Sequence, residues 1–87
     1  MIHVLITGSV QGVGFRQFVK SQANKLNIKG WVKNLPDRRV EAVFAGNQEN
    51  LDLIVKECKK GPFLAEVKDI NIEVMLDQEF EDFEIIK

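Results

Sequence analysis

The sequence predicts an α+β sandwich in the order strand, helix, strand, strand, helix, strand, and three observations carry that reading. Apolar residues alternate with a period of two in several short segments. They recur at helical spacing in two longer ones, and glycine, proline and asparagine punctuate the joins.

Taken in order, Ile2 to Thr7 puts Ile2, Val4 and Ile6 on one face and His3, Leu5 and Thr7 on the other, which is a strand. Gly8, Gly12 and Gly14 then break regular structure, so Gly8 to Gly14 is a loop. From Phe15 onward, Phe15, Phe18, Val19, Ala23 and Leu26 form one apolar stripe of a helix, with polar residues between them. Asn27 and Gly30 mark the helix exit; Trp31, Val32 and Leu35 then make a short strand that ends at Pro36. Pro36 to Arg39 is a turn. Val40, Ala42 and Phe44 alternate with Glu41, Val43 and Ala45 as the second arm of a hairpin. Asn47 is placed to cap a second helix, whose stripe is Leu51, Ile54, Val55 and Cys58 and which Gly61-Pro62 stops. Ile70, Ile72, Val74 and Leu76 give a fourth strand, with Val67 out of phase at an expected bulge. A short extra strand runs near Phe83 to Ile86.

Two interleaved strand-helix-strand units with right-handed crossovers fit a ferredoxin-like βαββαβ sandwich: a mainly antiparallel sheet with both helices on one face. Trp31 and the six phenylalanines are expected in its core. The first and second strands would run parallel with the third between them. The Gly8 to Gly14 loop and the residues around Asn34 would then share one edge, roughly 10 Å apart.

At 87 residues the chain is expected to be a single domain, 1–87. Its 12 basic and 13 acidic residues imply neither a nucleic acid nor an anionic membrane as partner. Cys58 stands alone, so no internal disulfide forms, and the expected compartment is a reducing cytoplasm. No apolar run approaches the roughly 18 residues of a spanning helix. No Cys, His and carboxylate cluster has metal spacing, and a monomer is expected.

The residues Gly8-Ser9-Val10-Gln11-Gly12-Val13-Gly14-Phe15-Arg16 leave a strand and enter a helix. Such a turn suits an anion: backbone N–H groups can converge, the helix N-terminus is partly positive, and Arg16 offers a planar fork. Neither a Walker A Gly-Lys-Ser/Thr nor a dinucleotide fingerprint is present, since Gln17 stands where the third glycine of the latter belongs. Taken alone, the two closely spaced glycines would mark only a tight turn.

The longer string, together with Gly30-Trp31-Val32-Lys33-Asn34 and Val40-Glu41, resembles the signature of the acylphosphatase family. The resemblance extends over essentially the whole chain. It implies hydrolysis of the carboxyl-phosphate bond of an acyl phosphate, without metal or cofactor. By the same resemblance, Val10, Gln11, Gly12, Val13, Gly14 and Phe15 form the phosphate loop, Arg16 grips the phosphate, and Asn34 holds the attacking water. The family commonly has glycine after Asp37, where this chain has Arg38-Arg39. That pair either draws anionic substrates to this edge or forms a plain exposed turn.

The residue types suit that chemistry. The departing carboxylate has a conjugate acid with a pKa near the roughly 4 of Asp or Glu, so it needs no proton from the protein. A loose phosphoryl transition state asks mainly for positioning and charge stabilisation. His3, the sole histidine, is expected on a sheet face, and Cys58 as a small buried side chain. One rival is a phosphate-binding module without catalysis. Another is an RNA-binding or regulatory ferredoxin-like domain, for which the central strands lack a basic-aromatic surface.

Overall fold

The computed structural model describes residues 1–86. Its elements are β1 (Ile2–Ser9), α1 (Phe15–Lys25), β2 (Lys29–Asn34), β3 (Val40–Ala45), α2 (Gln48–Lys60), β4 (Glu66–Val74) and β5 (Phe83–Ile86). The strands form one sheet in the order β4-β1-β3-β2-β5. All neighbours are antiparallel except β2 and β5. The α+β ferredoxin-like arrangement with its extra terminal strand is therefore as the periodicity predicts.

The alternation of the strands decides which face is dry. Ile2, Val4 and Ile6 of β1, Val40, Ala42 and Phe44 of β3, and Val32 of β2 are buried with Phe15, Val19 and Ala23 of α1 and Leu51, Ile54 and Cys58 of α2. Both helices thus cover the same face. Phe83 of β5 stacks on Phe44 with ring centroids 5.7 Å apart, closing this core at the β5 edge. Asn47 caps α2 as expected, its side-chain oxygen accepting from the Asn50 N–H at 2.8 Å. Asn27 leaves α1 in the left-handed region at φ 54°, a conformation asparagine tolerates better than most residues.

The extents of the first and fourth strands need correction, while the bulge expected near Val67 is present. The first strand continues through Gly8 and Ser9, because β4 pairs with it there; the loop proper begins at Val10. The pairing slips between Thr7 and Gly8, so that Thr7 faces Asp69 but Gly8 faces Val67. Lys68 is the bulged residue, and the slip turns both Val67 and Ile70 onto the core side. Beyond Ile70 the inner face of β4 is left uncovered: the strand ends at Val74, Ile72 and Val74 line an open groove beside α2, and Ile72, Val74 and Leu76 are 45%, 87% and 91% exposed.

The aromatic residues are not all core. Phe15, Phe44 and Phe83 are buried, but Phe63 is 99% exposed in the loop after α2. Trp31 points away from the helices because Val32 points toward them, and the Lys33 ammonium lies 5.3 Å from its ring centre. The same outer face carries His3 as expected, with Nε2 2.7 Å from Glu41 Oε2, while Lys33 Nζ lies 3.4 Å from Glu41 Oε1. Partial burial pushes the Glu41 carboxyl up, but the hydrogen bonds and charges of His3 and Lys33 outweigh that and hold it below its ordinary value. Among the described residues, no helix is long and apolar enough to cross a membrane.

Candidate active site

The C-terminal ends of β1 and β2 lie at one end of the sheet, separated by β3. Two short segments leave them: the loop from Val10 to Gly14, and the turn from Leu35 to Arg39. Val10 is buried to 1% exposure and Phe15 to 2%, so the loop is anchored in the core at both ends. Between them Gly12 and Gly14 adopt φ 74° and 78°, where a side chain is disfavoured even though an added Cβ would meet nothing within 4 Å. The need for glycine here is conformational.

Gly14 is the N-cap of α1, and it offers no side-chain acceptor to the first turn. The first intrahelical bond runs from the Phe18 N–H to the Gly14 carbonyl at 3.0 Å. The N–H groups of Phe15, Arg16 and Gln17 are thereby left without helical partners, and the first turn contains no acidic residue. That combination of free donors and partial positive charge is suited to an anion.

A pocket of about 320 Å³ opens at this point, lined by Val10, Gly12, Gly14, Phe15, Arg16, Gln17, Asn34 and Ile85. It brings Arg16 and Asn34 into one cavity, although β1 and β2 do not pair. Among the described residues, no carboxylate lines it. Among the described residues, the Arg16 guanidinium makes no ion pair, and neither its side chain nor that of Asn34 makes a hydrogen bond. The pocket therefore holds a cationic fork and a neutral amide, two groups suited to engaging an anion and a water.

Gln17 and Ile85 also line the pocket, and sequence reasoning did not single them out as site residues. Ile85 arrives through the parallel pairing of β5 with β2, where it stands opposite Val32. Val13 is half-buried against the core and is not among the lining residues. Gln11 also lies outside the lining: its side-chain amide donates to the carbonyls of Leu35 at 2.8 Å and Arg39 at 2.9 Å. What Gln11 can offer an anion in the pocket is its backbone.

The turn beyond Asn34 is built around an unusual residue choice. The Arg38 N–H donates to the Leu35 carbonyl at 3.1 Å, and the Leu35 N–H donates to the Arg39 carbonyl at 2.8 Å. Arg38 sits at φ 76°, the left-handed position that glycine commonly fills in a three-residue hairpin loop. Asp37 compensates by accepting from the Arg39 N–H at 3.1 Å and from the Arg39 Nε–H at 2.8 Å. These bonds, the backbone one first, hold the Asp37 carboxyl below its ordinary value. Arg39 is thus tied to its own turn, while Arg38 is exposed on the far side of the loop, beside Gly8 to Gly12. Arg38→Gly is expected to raise stability by about 0.5–1 kcal/mol, the relieved left-handed strain exceeding the added chain entropy. A denaturant midpoint that stays put or falls would show that the turn carries no such strain.

Other candidate chemistry is absent from the site. Burial pushes the Cys58 thiol up to about 12, with the Glu57 charge adding to the effect, so it is no nucleophile near neutral pH. Among the described residues, no three His, Cys, Asp or Glu side chains converge to hold a metal ion.

Residues 2–85 match the family model described as acylphosphatase. An acylphosphatase of Trichormus variabilis is 44% identical over 84 residues, covering 97% of this chain and 83% of that protein. The crystal structure of an acylphosphatase from Bacillus subtilis superposes with a TM-score of 0.96 at 36% identity, covering 99% of this chain and 97% of the other. A full-length HypF structure, described as phosphate- and nucleotide-bound, matches with a TM-score of 0.88 at 30% identity, but the match covers only 11% of that longer chain.

Proposed function

This chain belongs to the acylphosphatase family, and from that premise we propose that its Val10 to Arg16 loop holds the phosphate of an acyl phosphate while Asn34 places the water that attacks it. The protein is a hydrolase, and its substrates carry a carboxyl-phosphate anhydride. A bond forms between the water oxygen and phosphorus as the bond from phosphorus to the acyl oxygen breaks, releasing a carboxylate and inorganic phosphate.

The observation that carries this reading is the pairing, in one pocket, of a guanidinium at a helix N-terminus with an amide from across the sheet, neither of them engaged by a side chain among the described residues. The loop amides and Arg16 meet charge on the phosphoryl oxygens, and that charge persists through the transition state. Asn34 does not titrate usefully. Its carbonyl and NH2 can accept from and donate to one water, which fixes the line of approach. A loose transition state places little bond order between water and phosphorus, so orientation counts for more than prior removal of a proton. The leaving carboxylate needs no acid, and the described lining residues include none. The reading also takes the protein as a monomer in a reducing cytoplasm, in keeping with its lone buried thiol.

The test is hydrolysis of a synthetic aromatic acyl phosphate such as benzoyl phosphate, in excess chelator. Turnover is expected to be the same with and without chelator. A folded protein that binds inorganic phosphate but releases no benzoate would favour a non-catalytic phosphate-binding module. The likeness to one segment of the far longer HypF chain keeps that second reading in view.

A further inference from the structure

We propose that Gln11 is a positioning residue, whose side-chain amide clamps the phosphate loop to the turn that follows Asn34 and so sets where the water stands relative to the bound phosphate. The proposal rests on the roles given above to the loop and to Asn34.

The sheet registers the strand ends, with Val40 of β3 paired to both Ile6 and Asn34, but the loop and the turn extend beyond those pairings. The loop follows β1 and the turn follows β2, and β3 lies between those strands, so the sheet keeps their ends roughly 10 Å apart. Among the described residues, the only hydrogen bonds from the loop to the turn are those from Gln11, to Leu35 at 2.8 Å and to Arg39 at 2.9 Å. They span 24 and 28 residues of sequence. The Leu35 carbonyl belongs to the residue directly after Asn34, so the bond acts one residue from the amide that would hold the water.

The chemistry of the contact is specific to a primary amide. Each acceptor already receives one bond inside the turn: Leu35 from the Arg38 N–H, and Arg39 from the Leu35 N–H. Each has a second lone pair, and the two hydrogens of one NH2 group fill both. With both hydrogens committed, the Gln11 side chain has only its oxygen left, and an oxygen acceptor gives no favourable contact to a phosphate. Its effect must therefore pass through the loop and the turn. Its neighbours set where it stands, since Val10 is buried in the core on one side and Gly12 turns the chain on the other.

Two near-isosteric variants separate this role from plain structural support. Gln11→Met removes both donors and leaves each carbonyl with its turn bond. Gln11→Glu at neutral pH faces two carbonyls with a carboxylate that cannot donate, and regains one donor when protonated. We would measure benzoyl phosphate hydrolysis, inhibition by inorganic phosphate, and circular dichroism for the parent and both variants. The expected result is a kcat lower by about 10- to 100-fold in folded Gln11→Met, the scale of a misplacement of about 1 Å. The inhibition constant of phosphate should stay within about twofold, because the loop keeps its own shape. Activity of Gln11→Glu relative to the parent should climb as pH falls through the range where a carboxyl protonates, near pH 4–5. Placed in an Asn34→Ala background, Gln11→Met should cost nothing further, since there is no longer an amide to misplace.

Parental kcat in both folded variants would overturn the clamp and leave the assignments of Arg16 and Asn34 standing. A fall in kcat matched by an equal weakening of phosphate inhibition would also overturn it, by showing that Gln11 shapes the phosphate loop itself. Absence of turnover in the parent would remove the underlying reading and the clamp with it.

Discussion

Arg16→Ala is expected to lose about 10²- to 10⁴-fold in kcat/KM for an acyl phosphate while leaving the fold at least as stable as the parent. The activity figure follows from two charge-assisted hydrogen bonds of about 1.5–3 kcal/mol each, with each 1.36 kcal/mol worth about tenfold in rate. The stability expectation comes from where Arg16 sits. It lies in the first turn of α1, where the helix dipole disfavours a cation, and no acidic residue in that turn relieves it. It makes no ion pair among the described residues, so truncation breaks no pair there. Alanine is also the better helix former. A residue that is electrostatically misplaced for folding and open to the pocket is one whose charge serves a ligand. Arg16→Lys should recover only part of the loss, because an ammonium keeps the charge without the planar fork. Three measurements decide the matter: the chemical denaturation midpoint, kcat/KM, and phosphate inhibition, which should weaken in parallel with activity. A variant that is clearly less stable and still fully active would show that Arg16 supports the fold and leaves the phosphate to the loop amides.

The same contrast between local and distant causes explains what the sequence makes readable. The alternation in Ile2 to Thr7 and Val40 to Ala45, the stripe through Phe15, Val19 and Ala23, and the Asn47 cap are set by neighbours a few residues away, and each is found where the pattern puts it. The turn strain at Arg38 is equally local: a left-handed position needs a residue without a Cβ, and the sequence supplies arginine. What the pattern cannot carry is set across the sheet. The out-of-phase Val67 hints at a bulge, but only the register of β4 on β1 places it at Lys68 and brings both Val67 and Ile70 to the core side. Trp31 faces outward because its strand has one inward set and Val32 belongs to it. Ile72 and Val74 alternate as a core face should, yet at this sheet edge α2 leaves an open groove over them. In the site, the glycine string and the helix entry are readable as an anion cradle, and Asn34 acquires meaning only from the motif around it. Ile85 joins the pocket through a parallel pairing with no local signal, and the Gln11 side chain turns toward carbonyls 24 and 28 residues away.

Asn34→Ala should lower kcat by about 10²- to 10³-fold and leave inhibition by inorganic phosphate within about twofold of the parent, a split that Arg16→Ala should not show. The magnitude is that of removing one preorganised polar group from a reaction that depends on positioning. The split follows from what each side chain touches. Arg16 meets the phosphoryl oxygens in both the bound state and the transition state, so binding and rate suffer together. Asn34, in its proposed role, touches the water, whose placement matters only as the new bond forms, so the loss falls on kcat alone. The substitution is also gentle on the fold. Asn34 is the last residue of β2, paired with Val40, and its side chain makes no hydrogen bond among the described residues. Asn34→Asp discriminates further, because a carboxylate could still accept from the water but would set a negative charge beside a dianion. Its KM should rise where that of Asn34→Ala does not. If instead Asn34→Ala weakened phosphate inhibition as much as it lowered kcat, the amide would be a ligand of the phosphate, and the water would have to be held by the loop amides or by Gln17 at the pocket wall.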